Sequence, residues 1–368
     1  MSNSGVTRNV AAESRTTITE CAPPSKLPPM TVKEAIARVV AGHDLAEEEM
    51  AAVTAELMND QATPAQIGAL LTALHIKGET VAEIAGAARV MRELATRVHA
   101  PRAVLDTCGT GGDGCHTFNI STAAALVAAG AGLCVAKHGN RAMSGAVGGA
   151  DVLETLGARI ELSPAQVEHC LREVGFGFLL APAFHRAMRH AVGPRREIGI
   201  RTIFNLLGPL TNPAGARHQL IGVFDKCWVV PLAESLGRLG SIHALVVHGE
   251  DGLDEISLTG PTLAAEWHVG TVRTFTLHPQ EFGLTPCRLA DLQVESAQES
   301  AALIRAVCAG ARGPQRDIVL LNAAAALYAG DAVPSLAVGV ELARATLDSG
   351  AAARTLDRFI TLTQMEPA

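Results

Sequence analysis

Between Thr31 and Val98, apolar residues recur at i, i+3, i+4 and i+7, the spacing that lays one greasy stripe along a helix. TVKEAIARVVAG opens on Thr31, carries Glu34 three residues later and ends at Gly42. That is the signature of a helix whose first turn is capped reciprocally and whose last turn is stopped by glycine. LAEEEMAAVTAELMN follows, and TPAQIGALLTALHIKG then places Thr63 as N-cap with Pro64 in the first turn. Proline suits that position because its missing N–H would have no helical partner there. TVAEIAGAARVMRELATRV completes the set. No chemistry-bearing side chains converge in this block. It predicts a small helical domain over about residues 30–100, or a surface for subunit contact.

After Pro101 the period changes. AVLDTCGTGGDG runs from a short apolar strand into a glycine loop, STAAALVAAGAG reads as a helix, and LCVAKHGN as a strand with a polar end. This β-α-β rhythm predicts a parallel sheet with ligands at the strand C-termini. HQLIGVF and IHALVVHG read as further strands, and RDIVLLNAAAALYAG as a strand passing into a helix. A basic stretch, HRAMRHAVGPRREIGIRT, interrupts the rhythm, and residues 183–212 or so are expected to pack on the N-terminal helices. The expected class is α/β: a small all-helical, discontinuous N-terminal domain plus a larger α/β domain (residues 101–182 and 213–368) with a mostly parallel central sheet. Residues 1–29 are rich in Ser, Thr and Pro and lack an apolar core, which predicts a disordered tail rather than a signal peptide.

Composition narrows the function classes. The 368 residues are 48% hydrophobic and 18% charged, an ordinary globular balance long enough for two domains. A net charge of -7 argues against a general nucleic-acid binder. No apolar run is long enough to span a bilayer, so a soluble, cytoplasmic protein is expected. The eight cysteines form no C-x-x-C pair, which predicts reduced thiols rather than a zinc ribbon. Cys108 and Cys115 flank the glycine loop but read as small buried filler.

The loop GTGGDG matches G-x-G-x-x-G at Gly109, Gly111 and Gly114. A dinucleotide site also needs an acid about 20 residues on, at the end of the next strand, for the ribose. Here the strand LCVA is followed by Lys137-His138-Gly139-Asn140-Arg141, cations where the acid belongs. The NAD reading fails. Another phosphate ligand fits better, because glycine N–H groups can converge on an anion and NIST opens a helix whose free N–H groups form a second anion site. Ser121 or Thr122 is expected near the N-cap, with Lys137 and Arg141 adding charge. Two separated phosphate groups joined by a ribose, as in phosphoribosyl pyrophosphate (PRPP), would suit this arrangement.

GTGGD, NIST, KHGNR, RREIGIRTIFNLLGPLTNP and HGEDGLDEIS occur in this order along the chain. Together they resemble the anthranilate phosphoribosyltransferases, over nearly everything from Met30 to Gln364. The resemblance implies transfer of phosphoribose from PRPP to the amino group of anthranilate, with Mg²⁺ required and a homodimer as the assembly. It implies PRPP contacts at Gly109, Gly112, Asp113, Thr117, Asn119, Ile120, Ser121, Thr122, Lys137 and Gly149. Anthranilate contacts are implied at Gly109, His138, Asn140 and Arg195, and Mg²⁺ contacts at Ser121, Asp254 and Glu255. No single general base is implied; charge stabilisation by Lys137 and Mg²⁺ carries the reaction. Three readings stay open: this transferase, a related transferase or phosphorylase with another acceptor, and a non-catalytic nucleic-acid-binding relative.

The chain departs from the family pattern in KHGNRAMSGAVGGAD, where Gly145 and Gly149 stand in place of usual serines. Gly193-Pro194 before Arg195, and Arg186 after His185, also differ. A hydroxyl bonded to a charged phosphate is worth about 1.5–3 kcal/mol, so each missing serine is expected to weaken donor binding roughly 10- to 150-fold.

Overall fold

Thr31 Oγ1 accepts the N–H of Glu34 (3.3 Å) while the Glu34 carboxylate takes that of Thr31 (2.9 Å), which starts α1 (Val32–Val40) as expected. In the computed structural model, Met1 and residues 30–142 and 147–365 are described; the expected tail after Met1 and the Gly145 substitution lie outside them. α2 (Glu47–Met58) follows, and Thr63 and Gln66 cap α3 (Pro64–Lys77) reciprocally, with Pro64 in its first turn. Thr80 and Glu83 do the same for α4 (Val81–Leu94). Buried Val39, Leu57, Leu70, Leu74 and Ile84 join these helices in one core.

The chain then lays down β1 (Leu105–Gly109), α5 (Ile120–Gly130), β2 (Val135–Gly139), α6 (Gly149–Thr155), α7 (Pro164–Val174) and β3 (Phe176–Leu180). Three short helices follow, α8 (Ala181–Phe184), α9 (Arg189–Ile198) and α10 (Ile203–Leu207), and α9 carries most of the basic segment. α9 packs on α2 and α3, and α10 on α3 and α4. β4 (His218–Gly222), α11 (Val229–Arg238), β5 (His243–Gly249), β6 (Thr262–His268) and β7 (Thr271–Leu277) follow, and α12 (Ala297–Cys308), α13 (Pro314–Ala329), α14 (Leu336–Asp348) and α15 (Ala351–Gln364) close the chain.

The seven strands form one sheet, ordered β3-β2-β1-β4-β5-β6-β7. β3 through β5 are parallel, while β6 and β7 add an antiparallel edge through a hairpin at Val269-Gly270. The strand expected at the start of RDIVLLNAAAALYAG is absent: α13 is helical throughout. Pro314 starts it, and nearly every side chain from Ile318 to Ala329 is buried, so the run carries no polar face to reveal its period. β1 and β2 share a single register pair, Leu105 with Val135, whereas β1 and β4 pair along their whole length. Backbone pairing between β1 and β2 is therefore sparse beyond that point, although the two strands stay side by side along their length.

Candidate active site

The loop after β1 is wound by left-handed residues: Gly111, Gly112 and Gly114 have φ of 66°, 75° and 74°. Glycine is the residue that adopts this region without steric cost, which is why the loop is glycine-rich. Gly109 has a different reason. A Cβ there would stand 2.6 Å from Asp254 Oδ2, and one at Gly222 would overlap the Asp254 carbonyl. Both glycines make room for the loop after β5.

Asp254 accepts the N–H of Gly111 at 2.8 Å, and its own N–H faces Asp113 Oδ2 at 3.4 Å. Burial, with repulsion from Asp113 and Glu255, raises the Asp254 carboxyl well above its ordinary range. Glu255 is pushed up to about 7, chiefly by burial and against the attraction of Lys137. Acids held in one recess without a cation resist ionisation, and a divalent ion would relieve that strain. Among the described residues their oxygens do not close into a tight ligand set of the kind formed elsewhere by His243, His268 and Asp331. An open set of hard oxygens suits Mg²⁺, which binds through one or two carboxylates and completes its shell with water and phosphate.

The first turn of α5 lies beside this recess. Asn119, not Ser121 or Thr122, is the N-cap: its Oδ1 accepts the Thr122 N–H at 3.1 Å and also the Thr122 hydroxyl. The N-cap slot falls two residues earlier than expected because Asn119 accepts well at that position. Lys137 is buried, donating to the Thr107 carbonyl and to Ser121 Oγ at 3.0 Å. Its charge sits beneath the anion cradle and next to Glu255. Buried Asp106 bridges β1 and β2, accepting from the His138 N–H (3.1 Å) and from Asn212 Nδ2 (2.8 Å). Burial pushes its carboxyl up to about 6.

Glycine loop, helix N-terminus, lysine and recessed acids thus share one end of one sheet. Residues 101–353 match the model for the glycosyl transferase family, a/b domain, and residues 33–95 that for its helical bundle domain. The anthranilate phosphoribosyltransferase of Chloroflexus aggregans is 58% identical over 92% of this chain and all of its own. That of Alkalilimnicola ehrlichii is 56% identical over 91% of this chain and 99% of its own. The chain belongs to the anthranilate phosphoribosyltransferase family. Among solved structures, the anthranilate phosphoribosyltransferase of Thermus thermophilus matches with a TM-score of 0.86 at 46% identity, over 90% of this chain and 99% of that one. The Saccharomyces cerevisiae enzyme in complex with PRPP and Mg matches at 0.82 and 30% identity, over 90% and 97%.

Within this anthranilate phosphoribosyltransferase fold, the residues named from sequence fall into three groups. Gly109, Gly112, Asp113, Asn119, Ser121, Thr122, Lys137, Asp254 and Glu255 gather at the ends of β1, β2 and β5 and the start of α5. Gly149 joins them: a Cβ there would lie 3.5 Å from Thr122 Oγ1 and 3.8 Å from Lys137 Cε. Thr117 bridges to Gln293 just before α5, and Ile120 turns its side chain into the core, leaving only backbone to face a ligand.

His138 and Asn140 stand at the end of β2. His138 is buried and donates Nδ1–H to the Gly208 carbonyl at 3.1 Å, while its Nε2 has no partner. Burial, with repulsion from His185, lowers its pKa to about 3, so the ring is neutral. His185 lies 5.1 Å away, its Nε2 also unpartnered. Arg195 is apart from these, over the Phe204 ring at 5.1 Å; among the described residues no hydrogen bond ties it to the loop. Arg141, expected to add charge for an anion, is instead held by Glu154 (2.7 Å) and Asp151 (3.2 Å) of α6. Cys108 and Cys115 are pushed up by burial, Cys115 to about 12, so neither is a thiolate nucleophile.

Two residues escaped the sequence reading. Asp106 carries the one visible signal, an acid inside an apolar strand. Arg201 donates to the Gly112 carbonyl and lies 4.2 Å over the Phe224 ring, fastening the basic segment to the glycine loop. An arginine among arginines gives no such warning.

Proposed function

We infer that the chain transfers the phosphoribosyl group of PRPP to the amino group of anthranilate, giving N-(5′-phosphoribosyl)anthranilate and pyrophosphate, a step of tryptophan biosynthesis. The observation that carries this reading is the meeting of an anion cradle and recessed carboxylates at the same strand ends. The C1–pyrophosphate bond breaks, the anthranilate nitrogen bonds to C1, and that nitrogen gives up a proton. An aromatic amine is nucleophilic near neutral pH, so the demand on the protein is to stabilise the leaving anion and to position the pair.

Gly109, Gly112, Asp113 and Thr117 hold the phosphoribosyl donor with Asn119, Ile120, Ser121 and Thr122, the glycines and the helix start through backbone N–H groups. Lys137 lends positive charge from below, and Gly149 borders the same space. Ser121, Asp254 and Glu255 hold Mg²⁺, which supplies compensation for the charge of the departing pyrophosphate. Gly109, Asn140 and Arg195 bind anthranilate, the planar Arg195 fork matching its carboxylate. His138 offers the acceptor site a neutral, unpartnered Nε2, which can accept a hydrogen bond from an amine N–H and so orient it, while its lowered pKa makes it a poor base.

The protein works as a cytoplasmic homodimer joined through its helical layer; exposed Val40 and Ile76 at the ends of α1 and α3 support that surface. Among the described residues no helix is long and apolar enough to cross a membrane. The test mixes folded protein with PRPP, Mg²⁺ and anthranilate and follows the loss of anthranilate fluorescence. No turnover at millimolar PRPP refutes the reading, and phosphate-dependent cleavage of thymidine would replace it with a phosphorylase.

A further inference from the structure

The N-terminal edge of the sheet, at the far end of the strands from the glycine loop, holds a cluster that the transfer reaction does not use. His243, first residue of β5, pairs in register with His268, last residue of β6, and their rings stack at 4.3 Å and 22°. Asp331, on the turn between α13 and α14, puts its Oδ1 2.7 Å from His243 Nδ1. Ligand atoms of His243, His268 and Asp331 lie within 4.8 Å of one another.

On the other side of the His243 ring, Glu266 Oε1 lies 2.9 Å from Nε2, and Glu266 is itself gripped by Arg273. Carboxylate oxygens therefore face both ring nitrogens, Glu266 at Nε2 and Asp331 at Nδ1. A ring nitrogen and a carboxylate oxygen at that distance need a cation between them, either a proton or a metal ion. A carboxylate behind an imidazole is also the usual outer support of a metal-binding histidine.

We propose that His243 Nδ1, His268 and Asp331 form a binding site for a divalent metal ion of the zinc type, with Glu266 as the supporting carboxylate. Two imidazoles and one carboxylate favour such an ion over Mg²⁺ or Ca²⁺, which prefer all-oxygen shells. Ligands about 2 Å from a tetrahedral ion stand roughly 3.4 Å apart, so Asp331 moves back slightly and His268 swings in. Both are free to do so: the Asp331 side chain is 45% exposed and His268 is half-buried, while His243, 1% exposed, stays fixed. His218 Nδ1 lies 3.6 Å from Asp331 Oδ2 but is engaged by the Ala329 carbonyl, so it braces Asp331 rather than completing the set. Water takes the fourth position. The ion ties the antiparallel edge of the sheet to the α13–α14 turn and is structural.

The test uses the full chain stripped with EDTA and titrated with Co²⁺, whose visible bands are strong in a tetrahedral imidazole site and weak in an octahedral oxygen site. The expected result is one equivalent of strongly absorbing Co²⁺, displaced by Zn²⁺ and not by excess Mg²⁺, together with a higher melting temperature in Zn²⁺. His268→Ala and the milder His268→Gln each weaken this binding at least about tenfold, while Asp254→Asn, at the other end of the sheet, leaves it unchanged. Absence of the bands, their survival in both His268 variants, or displacement by Mg²⁺ overturns the proposal; the first outcome means that a proton alone fills the gap.

Discussion

Gly149→Ser restores the serine that the family usually carries at the start of α6. The backbone there is outside the left-handed region, and an added Cβ meets Thr122 Oγ1 at 3.5 Å and Asn119 Oδ1 and Lys137 Cε at 3.8 Å, all ordinary van der Waals contacts. Serine therefore fits without displacing anything. Its hydroxyl enters the space beside Lys137 and the first turn of α5, where a phosphate would lie. A hydrogen bond to that charged group is worth about 1.5–3 kcal/mol, a donor affinity roughly 10- to 150-fold tighter. Gly149→Ala is the control. It removes the helical glycine and gains up to about 1 kcal/mol of stability, but it brings no hydroxyl. Calorimetric PRPP binding in Mg²⁺, with thermal melts of both variants, separates the two effects. Similar melting gains with tighter PRPP binding in the serine variant alone are expected. Equal PRPP affinity in the serine and alanine variants, within about twofold, would refute the reasoning and show that backbone or water already fills the role.

Metal and pH act on the same carboxylates. Without metal, folded Glu255 keeps its proton up to about pH 7, whereas an unfolded glutamate loses it near 4.5, and Asp254 is raised likewise. The folded state binds more protons across that window, so the stability contributed by these groups falls as pH rises from about 4.5 through 7. Mg²⁺ competes with those protons, and its effect on the melting temperature should grow from pH 6 to pH 8. An Mg²⁺ effect independent of pH, or equal in a Glu255→Gln variant, would contradict the assignment. Between β1 and β2, Asp106→Ala leaves the His138 N–H and Asn212 Nδ2 without their carboxylate partner. Two such losses cost about 2–6 kcal/mol in urea unfolding, with Asp106→Asn milder because it keeps one acceptor oxygen; a change under about 1 kcal/mol for alanine would show that the bridge is not structural.

What could be seen in the chain beforehand was what is decided locally. Thr31 with Glu34, and Thr63 with Pro64 and Gln66, settle their helix starts within one turn, and they are found there. The run in α13 has no such mark; its neighbours bury it on every side, and apolar residues without a polar face fit strand and helix equally. The β6–β7 hairpin was also hidden, since its turn rests on Val269 and Gly270 in left-handed conformations rather than on an Asn-Gly pair. In the site, the glycines declared themselves by type, but Arg201 and Asp106 act through partners 89 and 106 residues away, which no local pattern carries.

The sparse backbone pairing of β1 with β2 explains why buried charge is tolerated beside the phosphate loop. Past Leu105 and Val135 the strands share no register pairs, and two side chains take over: Asp106 accepts from the His138 backbone, and Lys137 donates to the Thr107 carbonyl. Burying a carboxylate and an ammonium is costly unless both are fully hydrogen-bonded, and an uninterrupted ladder would satisfy the same backbone groups without them. The side-chain bridges tie the two strands where the backbone ladder does not, and they place a positive charge under the α5 N-terminus where two carboxylates already converge. On this argument Lys137 does two jobs with one ammonium group. A substitution that keeps its charge but shortens its reach should cost the tie between β1 and β2 as well as the electrostatics.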